Sequence, residues 1–270
     1  NPVVGVITRI AAKFANVKNV IYTAHGFQFC KKGPKADWLL YCPIEWIMSF
    51  ITDLLIVINQ EDYDFASKHL HAKKVLKIPG VGVDTDKFIP VSSREKRALR
   101  NELGISEEKF VVISVGELSN RKNTIAAIKA VETAVKADKD VELLVVGGGD
   151  QYERLRQYIE RKNLADNVKL LGKRKDIVEL NAIADVAIFP TLREGLAVAP
   201  LESMLMGLPL ISSRARGVVE YSIDKKTGFN FNSYDSEGMA KAIVRLKQDE
   251  NLYKFCSDNA ICVAHRYGLE

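Results

Sequence analysis

Zinc-type cysteine spacing, long apolar runs and blocks of like charge are all missing from this sequence of 270 residues. Its four cysteines are Cys30, Cys42, Cys256 and Cys262, and they form neither a CxxC pair nor any familiar zinc spacing. We therefore expect free, buried thiols in a reducing compartment. The same absence argues against a structural zinc site.

The apolar runs are also too short to cross a membrane, which takes roughly 18 residues. The longest, residues 46–58, is interrupted by Ser49, Thr52 and Asp53 and is typical of a helix that leads into a strand. No signal peptide opens the chain. A soluble, cytoplasmic protein is therefore expected.

The formal net charge is +5, from 39 Lys and Arg against 34 Asp and Glu. A mild positive excess suits phosphate ligands, nucleic acid or an anionic membrane surface. The basic residues are dispersed, so no nucleic-acid partner is expected. The apolar stretches Trp38–Tyr41 and Trp46–Phe50 have two interpretations: packing in the interior, which is favoured, and peripheral contact with the inner face of a membrane.

Helical and strand-like apolar patterns alternate along the chain, which is typical of parallel βαβ units in a doubly wound sheet. The N-terminal block is predicted to hold helices at 3–15, 44–52 and 61–69, strands at 19–23, 54–58 and 75–78, and a loop at 27–43. The C-terminal block is predicted to hold helices at 92–103, 123–137, 150–162, 175–183 and 199–206, and strands at 110–115, 141–146, 168–171, 185–189 and 208–212. The predicted fold class is α/β.

A turn-rich connector, Val81–Phe88, separates the two blocks and predicts two domains, residues 1–90 and 91–270. The first block has only about three strands, too few for an independent sheet of this type. We therefore expect a partial N-terminal domain, whose own N-terminal part is missing, and a complete C-terminal one.

Two glutamates, Glu194 and Glu202, bracket a segment that follows the apolar strand ending near Pro190. Pro200 indicates that a helix begins there, which puts Glu202 in its first turn and Glu194 in the preceding loop. Open α/β sheets bind ligands at such strand ends. Carboxylates for hydroxyls, beside free helix N–H groups for phosphate, predict a sugar-nucleotide site.

Other loops at predicted strand ends carry phosphate-binding chemistry. Gly116 allows a tight turn, and Arg121 and Lys122 place two cations at the rim of the sheet, although a solvated basic turn is an equal alternative. Gly148, within Gly147–Gly149, predicts a close backbone approach to a ligand, but the run does not meet the dinucleotide fingerprint. His25 follows a strand and is favoured as a structural histidine, with exposure into a cleft as the alternative.

Sequence motifs of two common enzyme classes are missing. There is no G-x-S-x-G elbow of the hydrolases and no G-x-x-x-x-G-K-[ST] phosphate loop of the NTPases.

The strand-end loops together resemble those of retaining glycosyltransferases of family 4, which have the GT-B fold of two facing Rossmann-like domains. The Glu194 to Glu202 spacing matches that family's E-x7-E signature, and Ile21–Phe27, Tyr41–Glu45 and Asn59–Tyr63 look like its capsular and exopolysaccharide branch. The resemblance implies a complete C-terminal Rossmann-like parallel sheet with helices on both faces, which binds the donor. It implies a partial N-terminal Rossmann-like domain on the acceptor side.

The resemblance also implies roles for individual residues. Glu202 would bind the ribose, and Glu194 would face the transferred sugar, as would His25. Lys122 matches the family's diphosphate-binding lysine, whereas Glu117 stands where the family has an arginine, a charge that Arg121 is proposed to supply. The remaining donor-binding residues implied are Gly116, Gly148, Lys173, Arg174, Gly195, Leu196 and Ala197.

The implied reaction moves a sugar, with retention, from a nucleotide diphosphate to a saccharide or lipid-linked acceptor in surface polysaccharide biosynthesis. It needs no metal or other cofactor, since cations and backbone amides stabilise the leaving diphosphate. Two alternatives remain: a sugar-nucleotide epimerase of the same architecture, and a fragment that binds nucleotide without chemistry. Two origins of the final Leu269-Glu270 remain as alternatives: native sequence and a cloning remnant.

Overall fold

The computed structural model describes residues 2–31, 33–80 and 82–269. Lys32 in the predicted loop 27–43, Val81 in the predicted connector and the terminal Glu270 lie outside the described residues. The chain divides into two compact units, Asn1–Val81 with Arg193–Leu196, and Gly82–Leu192 with Ala197–Glu270. The domain bounds 1–90 and 91–270, and the roles assigned to those domains, stay predictions.

The first unit is built on a three-stranded parallel sheet in the order β1-β2-β3. Its strands are β1 (Ile21–Ala24), β2 (Leu54–Val57) and β3 (Lys74–Lys77), and its helices are α1 (Pro2–Phe14), α2 (Lys35–Ser49) and α3 (Gln60–His69). β2 is central, and Leu55 and Val57 point into a small core with Ala24, Phe27 and Phe29. The prediction of a βαβ pattern with about three strands is confirmed here.

The predicted loop 27–43 is wrong from Lys35 onward, because α2 already begins there and contains Pro43. Pro34 occupies the N-cap position, where a missing N–H costs nothing. Tertiary packing offsets the helix-breaking tendency of Pro43: the Trp38 ring lies 4.8 Å from Phe29 and 5.5 Å from Phe65, between ring centroids.

Apolar side chains of α2 and of its C-cap residue Phe50 divide between the core and the surface. Trp38 packs on the first unit's core, as the favoured interpretation predicts. Leu39, Trp46 and Phe50 are exposed, so interior packing is wrong for them. Within the described residues, no helix combines the length and the apolar character needed to span a bilayer.

The second unit is built on a six-stranded, wholly parallel sheet in the order β6-β5-β4-β7-β8-β9. The strands are β4 (Phe110–Val115), β5 (Val141–Val146), β6 (Val168–Gly172), β7 (Val186–Phe189), β8 (Leu210–Ser213) and β9 (Gly228–Phe231). The helices are α4 (Ser93–Glu102), α5 (Thr124–Ala137), α6 (Tyr152–Arg161), α7 (Ile177–Ile183), α8 (Val198–Leu205), α9 (Ser236–Gln248) and α10 (Glu250–Ala264). The order reverses between β4 and β7, which is where such sheets bind ligands.

Helices cover both faces of this sheet. α5, α6 and α9 supply Ala127, Leu155 and Ile243 to one large core, against side chains of every strand in the sheet. α7 and α8 contact β4 and β7, respectively. The prediction of a complete parallel sheet covered on both faces is therefore confirmed.

Helix starts in the second unit follow local capping chemistry. Ser92 and Glu95 form a reciprocal capping box at α4. Asp235 accepts a hydrogen bond from the Gly238 amide at 2.8 Å, and Asp249 accepts one from the Leu252 amide at 2.9 Å. These caps satisfy backbone N–H groups that have no partner within the first turn of each helix.

The predicted free thiols are found at Cys42, Cys256 and Cys262. The expectation of burial is confirmed for Cys256 and wrong for the other three, because Cys30 and Cys42 are half-buried and Cys262 is exposed.

A charged cluster at Asp185 anchors α4 to the start of β7. The Asp185 carboxylate lies 2.7 Å from Lys96 Nζ and 2.6 Å from Arg100 Nη2, and it accepts a hydrogen bond from the Val111 amide at 2.6 Å. Arg100 also donates to the Ile183 carbonyl at 2.8 Å. Burial lowers the Lys96 pKa, an effect that Asp185 opposes.

Asp185→Asn is expected to lower the free energy of unfolding by about 3 kcal/mol, because it leaves two mostly buried cations without their counter-ion. Urea unfolding followed by circular dichroism measures this loss. The matched control is Glu153→Gln, which removes an exposed partner of Arg156 and should leave the unfolding midpoint unchanged. Equal midpoints for the two variants would contradict the role given to Asp185.

Candidate functional site

Two glycine loops touch at the carboxyl ends of β4 and β5 in the second unit. The Gly116 amide donates to the Val146 carbonyl at 2.9 Å, and the Leu118 amide donates to the Gly148 carbonyl at 3.0 Å. Gly147 has a φ of +145°, and a Cβ built on it would lie 1.8 Å from the Gly116 carbonyl oxygen. Only a residue without a side chain fits this approach.

Lys122 reaches back over the Gly116 loop. Its Cε lies 4.0 Å from the point where a Gly116 Cβ would be, and its Nζ lies 4.8 Å from the centroid of the Phe189 ring. Gly116, Lys122 and Phe189 also line the same small cavity. The cation–π contact holds the ammonium group at the carboxyl ends of β4 and β7.

The backbone carbonyl of Arg121 is held by the loop after β7. Its carbonyl accepts hydrogen bonds from the Leu192 amide at 2.9 Å and from Thr191 Oγ1 at 3.1 Å. Its Nη2 lies 3.9 Å from the exposed Glu117 carboxylate, a weak pair. The loop after β4 is therefore fastened to the loop after β7.

Lys173 and Gly148 are also brought together. A Cβ on Gly148 would lie 3.1 Å from Cγ and from Cε of Lys173, whose side chain passes over this glycine. The Gly147 amide donates to the Gly172 carbonyl at 2.8 Å, which joins the loops after β5 and β6. Arg174 is exposed and pairs with Asp176, with Nε at 2.8 Å from the carboxylate.

Glu202 lies in α8 of the second unit, but its predicted place in the first turn is wrong. The helix begins at Val198, two residues before Pro200, so Glu202 is past the first turn. The unsatisfied N–H groups belong to earlier residues, and Pro200 has none to satisfy. Burial raises the Glu202 pKa, and the charge of Lys87 opposes this rise.

The segment Arg193–Leu196 belongs to the first unit, together with His25. Arg193 Nη1 donates to the Gln28 carbonyl at 2.7 Å and to the Asp37 carboxylate at 2.8 Å. A Cβ on Gly195 would lie 2.0 Å from the His25 carbonyl oxygen, so the two backbones touch.

Other predicted residues near this segment are also placed. The Leu196 side chain packs against Gly80 of the same unit, whereas Ala197 is buried in the second unit. His25 is exposed. Exposure is one requirement of the alternative interpretation, in which its ring faces a cleft. The functional roles of all these residues stay predictions.

Sequence reasoning missed Asn123 and Arg193. Asn123 is buried in the left-handed conformation, with φ 55°, and its Nδ2 donates to the carbonyls of Pro190 at 3.0 Å and Ser233 at 2.7 Å. An asparagine between a basic loop and a helix is a recognisable signal for such a turn. Arg193 gave no signal beyond its position before Glu194.

Within residues 2–31, 33–80 and 82–269, no three His, Cys, Asp or Glu side chains are grouped so that they could hold a metal ion. That the reaction needs no cofactor stays a prediction.

The comparisons with known proteins agree on one family. The family model described as "Glycosyl transferases group 1" matches residues 95–262. EpsD of Bacillus subtilis strain 168, a protein named as a glycosyltransferase, is 37% identical over 249 residues, which are 91% of this chain and 65% of EpsD. UDP-Gal:alpha-D-GlcNAc-diphosphoundecaprenol alpha-1,3-galactosyltransferase of Escherichia coli is 33% identical over 257 residues, 92% of this chain and 65% of that enzyme. The chain thus spans about two thirds of the length of these relatives.

Solved structures share the fold. Anabaena Alr3699/HepE in complex with UDP-glucose superposes with a TM-score of 0.86 at 24% identity, over 99% of this chain and 73% of that chain. Sucrose-phosphate synthase from Thermosynechococcus elongatus superposes with a TM-score of 0.78 at 20% identity, over 96% of this chain and 66% of that chain.

Gly147→Ala is expected to lower the free energy of unfolding by at least about 2 kcal/mol, because the new methyl group must displace the Gly116 carbonyl. The matched control is Gly104→Ala: this glycine also has a positive φ, +67°, but nothing lies within 4 Å of its Cβ position. The control measures the backbone cost alone, about 1 kcal/mol. Urea denaturation of both variants measures the two losses of unfolding free energy. Equal losses would show that the Gly116 and Gly147 loops do not approach each other closely.

Proposed function

The chain belongs to the glycosyl transferases group 1 family, and we propose that the whole protein moves a sugar from a nucleotide-diphosphate donor to a saccharide or lipid-linked acceptor. We further propose that it is a retaining enzyme of family 4 that acts in surface polysaccharide biosynthesis. The donor would bind to the second unit, at the carboxyl ends of β4, β5, β6 and β7.

This proposal depends on one observation: glycine backbone and lysine ammonium groups lie together at the carboxyl ends of neighbouring strands. Gly116 and Gly147 touch without side chains, Lys122 passes over the first loop and Lys173 over the second. A diphosphate needs close access to backbone amides and nearby positive charge. The arrangement supplies both on one edge of the sheet.

The chemistry of the leaving group fits these residues. When the glycosidic bond breaks, negative charge builds on the diphosphate, and Lys122 would stabilise it with help from Arg121. The Phe189 ring limits the movement of the Lys122 ammonium, so little reorganisation is needed during the reaction. These groups do the work that a metal ion does elsewhere, which is why no metal is proposed.

We propose that Glu202 binds the ribose hydroxyls and that Glu194 and His25 contact the transferred sugar. Gly195, Leu196 and Ala197 would contribute backbone amides, and the backbone at Lys173 and Arg174 would contact the base. UDP is the proposed nucleotide, since the Escherichia coli relative is named for UDP-Gal.

The acceptor is proposed to be lipid-linked, because that same relative is named for a diphosphoundecaprenol-linked sugar. Such an acceptor lies in a membrane, so we place the reaction in the cytoplasm at the inner membrane face. The exposed Leu39, Trp46 and Phe50 support a peripheral contact with the bilayer.

Glu202→Gln is expected to weaken UDP-glucose binding about tenfold or more, because hydrogen bonds to a carboxylate are stronger than those to an amide. The raised pKa of Glu202 also makes the affinity of the wild type for UDP-glucose depend on pH. The wild-type affinity should fall as the pH drops toward this pKa, beginning above the usual value of 4.5, because protonation removes the carboxylate. The variant should lack this change. Calorimetric titration across pH 4 to 8 measures both.

The control for this titration is Glu237→Gln, an exposed acid in the first turn of α9. It should bind UDP-glucose with wild-type affinity at every pH. An unchanged affinity in Glu202→Gln would remove this residue from the donor site.

Lys122→Ala in the whole protein is expected to lower the rate of sugar transfer about a hundredfold, the scale for one preorganised charge-stabilising contact. The matched control is Lys129→Ala, an exposed lysine of α5, which should transfer at the wild-type rate. Released UDP and the anomeric configuration of the product are measured together, the latter by NMR.

The same assay separates the competing functions. Turnover of the nucleotide sugar without an acceptor would indicate an epimerase. Nucleotide binding without any turnover would indicate a non-catalytic protein, and an inverted product would contradict retention.

A further inference from the structure

One face of α2 in the first unit is apolar and exposed along most of the helix. Residues three and four positions apart lie on the same side of a helix. The exposed apolar residues form one such row: Leu39, Leu40, Pro43, Trp46, Ile47 and the C-cap residue Phe50. Leu39 is 80% exposed and Ile47 54%, whereas the polar Glu45 and Ser49 are buried. The helix therefore turns outward the face that a surface helix normally buries.

An aromatic cluster lies at the C-terminal end of this row. The Trp46 and Phe50 rings meet edge to face with centroids 4.9 Å apart, and the exposed His71 ring stacks on Phe50 at 4.3 Å. Exposed tryptophan beside other aromatic rings is typical of surfaces that lie at the boundary between lipid and water.

The charges around this face are positive. Residues 1–81 contain ten Lys and Arg against six Asp and Glu, so they hold four of the five excess positive charges of the chain. Among the described residues of the first unit, every exposed Lys, Arg, Asp or Glu is a lysine. Two of these lysines lie at the ends of the row. Lys35 is the first residue of α2, and the Lys74 amide donates to the carbonyl of Asp53, three residues after Phe50, at 3.0 Å.

The acids of the same unit are occupied within it. Glu45 pairs with Arg9 at 3.0 Å and Asp37 with Arg193 at 2.8 Å. The Asp62 carboxylate accepts a hydrogen bond from the Phe27 amide at 3.1 Å. The surface of the first unit therefore presents lysine charge without exposed carboxylates, which favours an anionic partner.

A second copy of the chain is the poorer occupant of this face. Two copies joined through it would bring their lysines together, and no exposed carboxylate of the described first unit could oppose them. A bilayer that contains anionic lipid meets both requirements, since it offers hydrocarbon to the apolar row and phosphate to the lysines. α2 has 15 residues and is about 22 Å long, so it is suited to lie on a bilayer and not to cross it.

We propose that the exposed face of α2 is a docking surface for an anionic lipid bilayer. The helix lies in the plane of the headgroups, with Leu39, Trp46 and Ile47 against the acyl chains and with Lys35 and Lys74 on lipid phosphates. This inference rests on the proposed function, which places the acceptor in a membrane, and it adds the element that docks and the lipid charge that it selects.

The test is flotation of the whole protein, without sugar nucleotide, on vesicles of phosphatidylcholine and of an equal mixture of phosphatidylcholine and phosphatidylglycerol. The wild type should bind the mixed vesicles at least about tenfold more tightly than the neutral ones. Absence of binding, or equal binding to both kinds of vesicle, would overturn the proposal.

The double variant Leu39→Ser, Ile47→Ser should weaken binding to the mixed vesicles about tenfold or more, because it removes apolar area that lipid would cover. The matched control is Ile89→Ser, Phe255→Ser, which changes two exposed apolar residues of the second unit and should bind like the wild type. Wild-type binding by the α2 variant would contradict the role of this face. So would a dimer that sedimentation velocity detects for the wild type and that this variant dissociates.

The double variant Lys35→Glu, Lys74→Glu tests the charge. It should weaken binding to the mixed vesicles about tenfold or more and leave binding to neutral vesicles unchanged. Its matched control, Lys241→Glu, Lys254→Glu, reverses two exposed lysines of the second unit and should have a smaller effect. Equal losses in the two variants would show attraction by overall charge alone and would overturn the placement of the lipid on α2.

Failure of this inference and failure of the proposed function are distinguishable. A protein that floats with the mixed vesicles but transfers no sugar would keep the docking surface and lose the activity. A protein that transfers sugar but does not float would keep the activity and lose the docking surface. The Leu39→Ser, Ile47→Ser variant should still bind UDP-glucose with wild-type affinity, which also shows that it is folded.

Discussion

The contact between the Gly147 backbone and the Gly116 carbonyl is the constraint on which the proposed donor site depends. No side chain fits between them, so the loops after β4 and β5 close on each other through backbone alone. This leaves amides and carbonyls accessible to a ligand at the carboxyl ends of the strands. It also explains why a φ of +145° is kept at Gly147, where any other residue would be strained.

Asn123 extends this constraint to the rest of the sheet edge. Its two hydrogen bonds join the start of α5 to the loops after β7 and β9, and the Arg121 carbonyl holds Thr191 and Leu192. Residues 190–192 are therefore fixed where the chain leaves β7. A binding site gains precision when neighbouring residues support the loops that form it.

The strands were predictable because a buried parallel strand is apolar on both faces, as in β7, where all four residues are apolar and buried. The start of α2 was not predictable, because Gly33, Pro34 and Pro43 indicate a loop. Only the packing of Trp38 on Phe29 and Phe65 overrides that preference. The start of α8 was misplaced for a related reason: Pro200 suits any of the first helical positions, so it does not identify the first. Arg193 donates hydrogen bonds to two residues over 150 positions away, which no local pattern reveals.

Two acids that are largely withdrawn from solvent, one in each unit, are paired inside the fold. Asp185 has Lys96, Arg100 and the Val111 amide, and Glu45 lies 3.0 Å from Arg9. In both places the cost of removing a carboxylate from water is offset by charge and hydrogen bonds inside the fold.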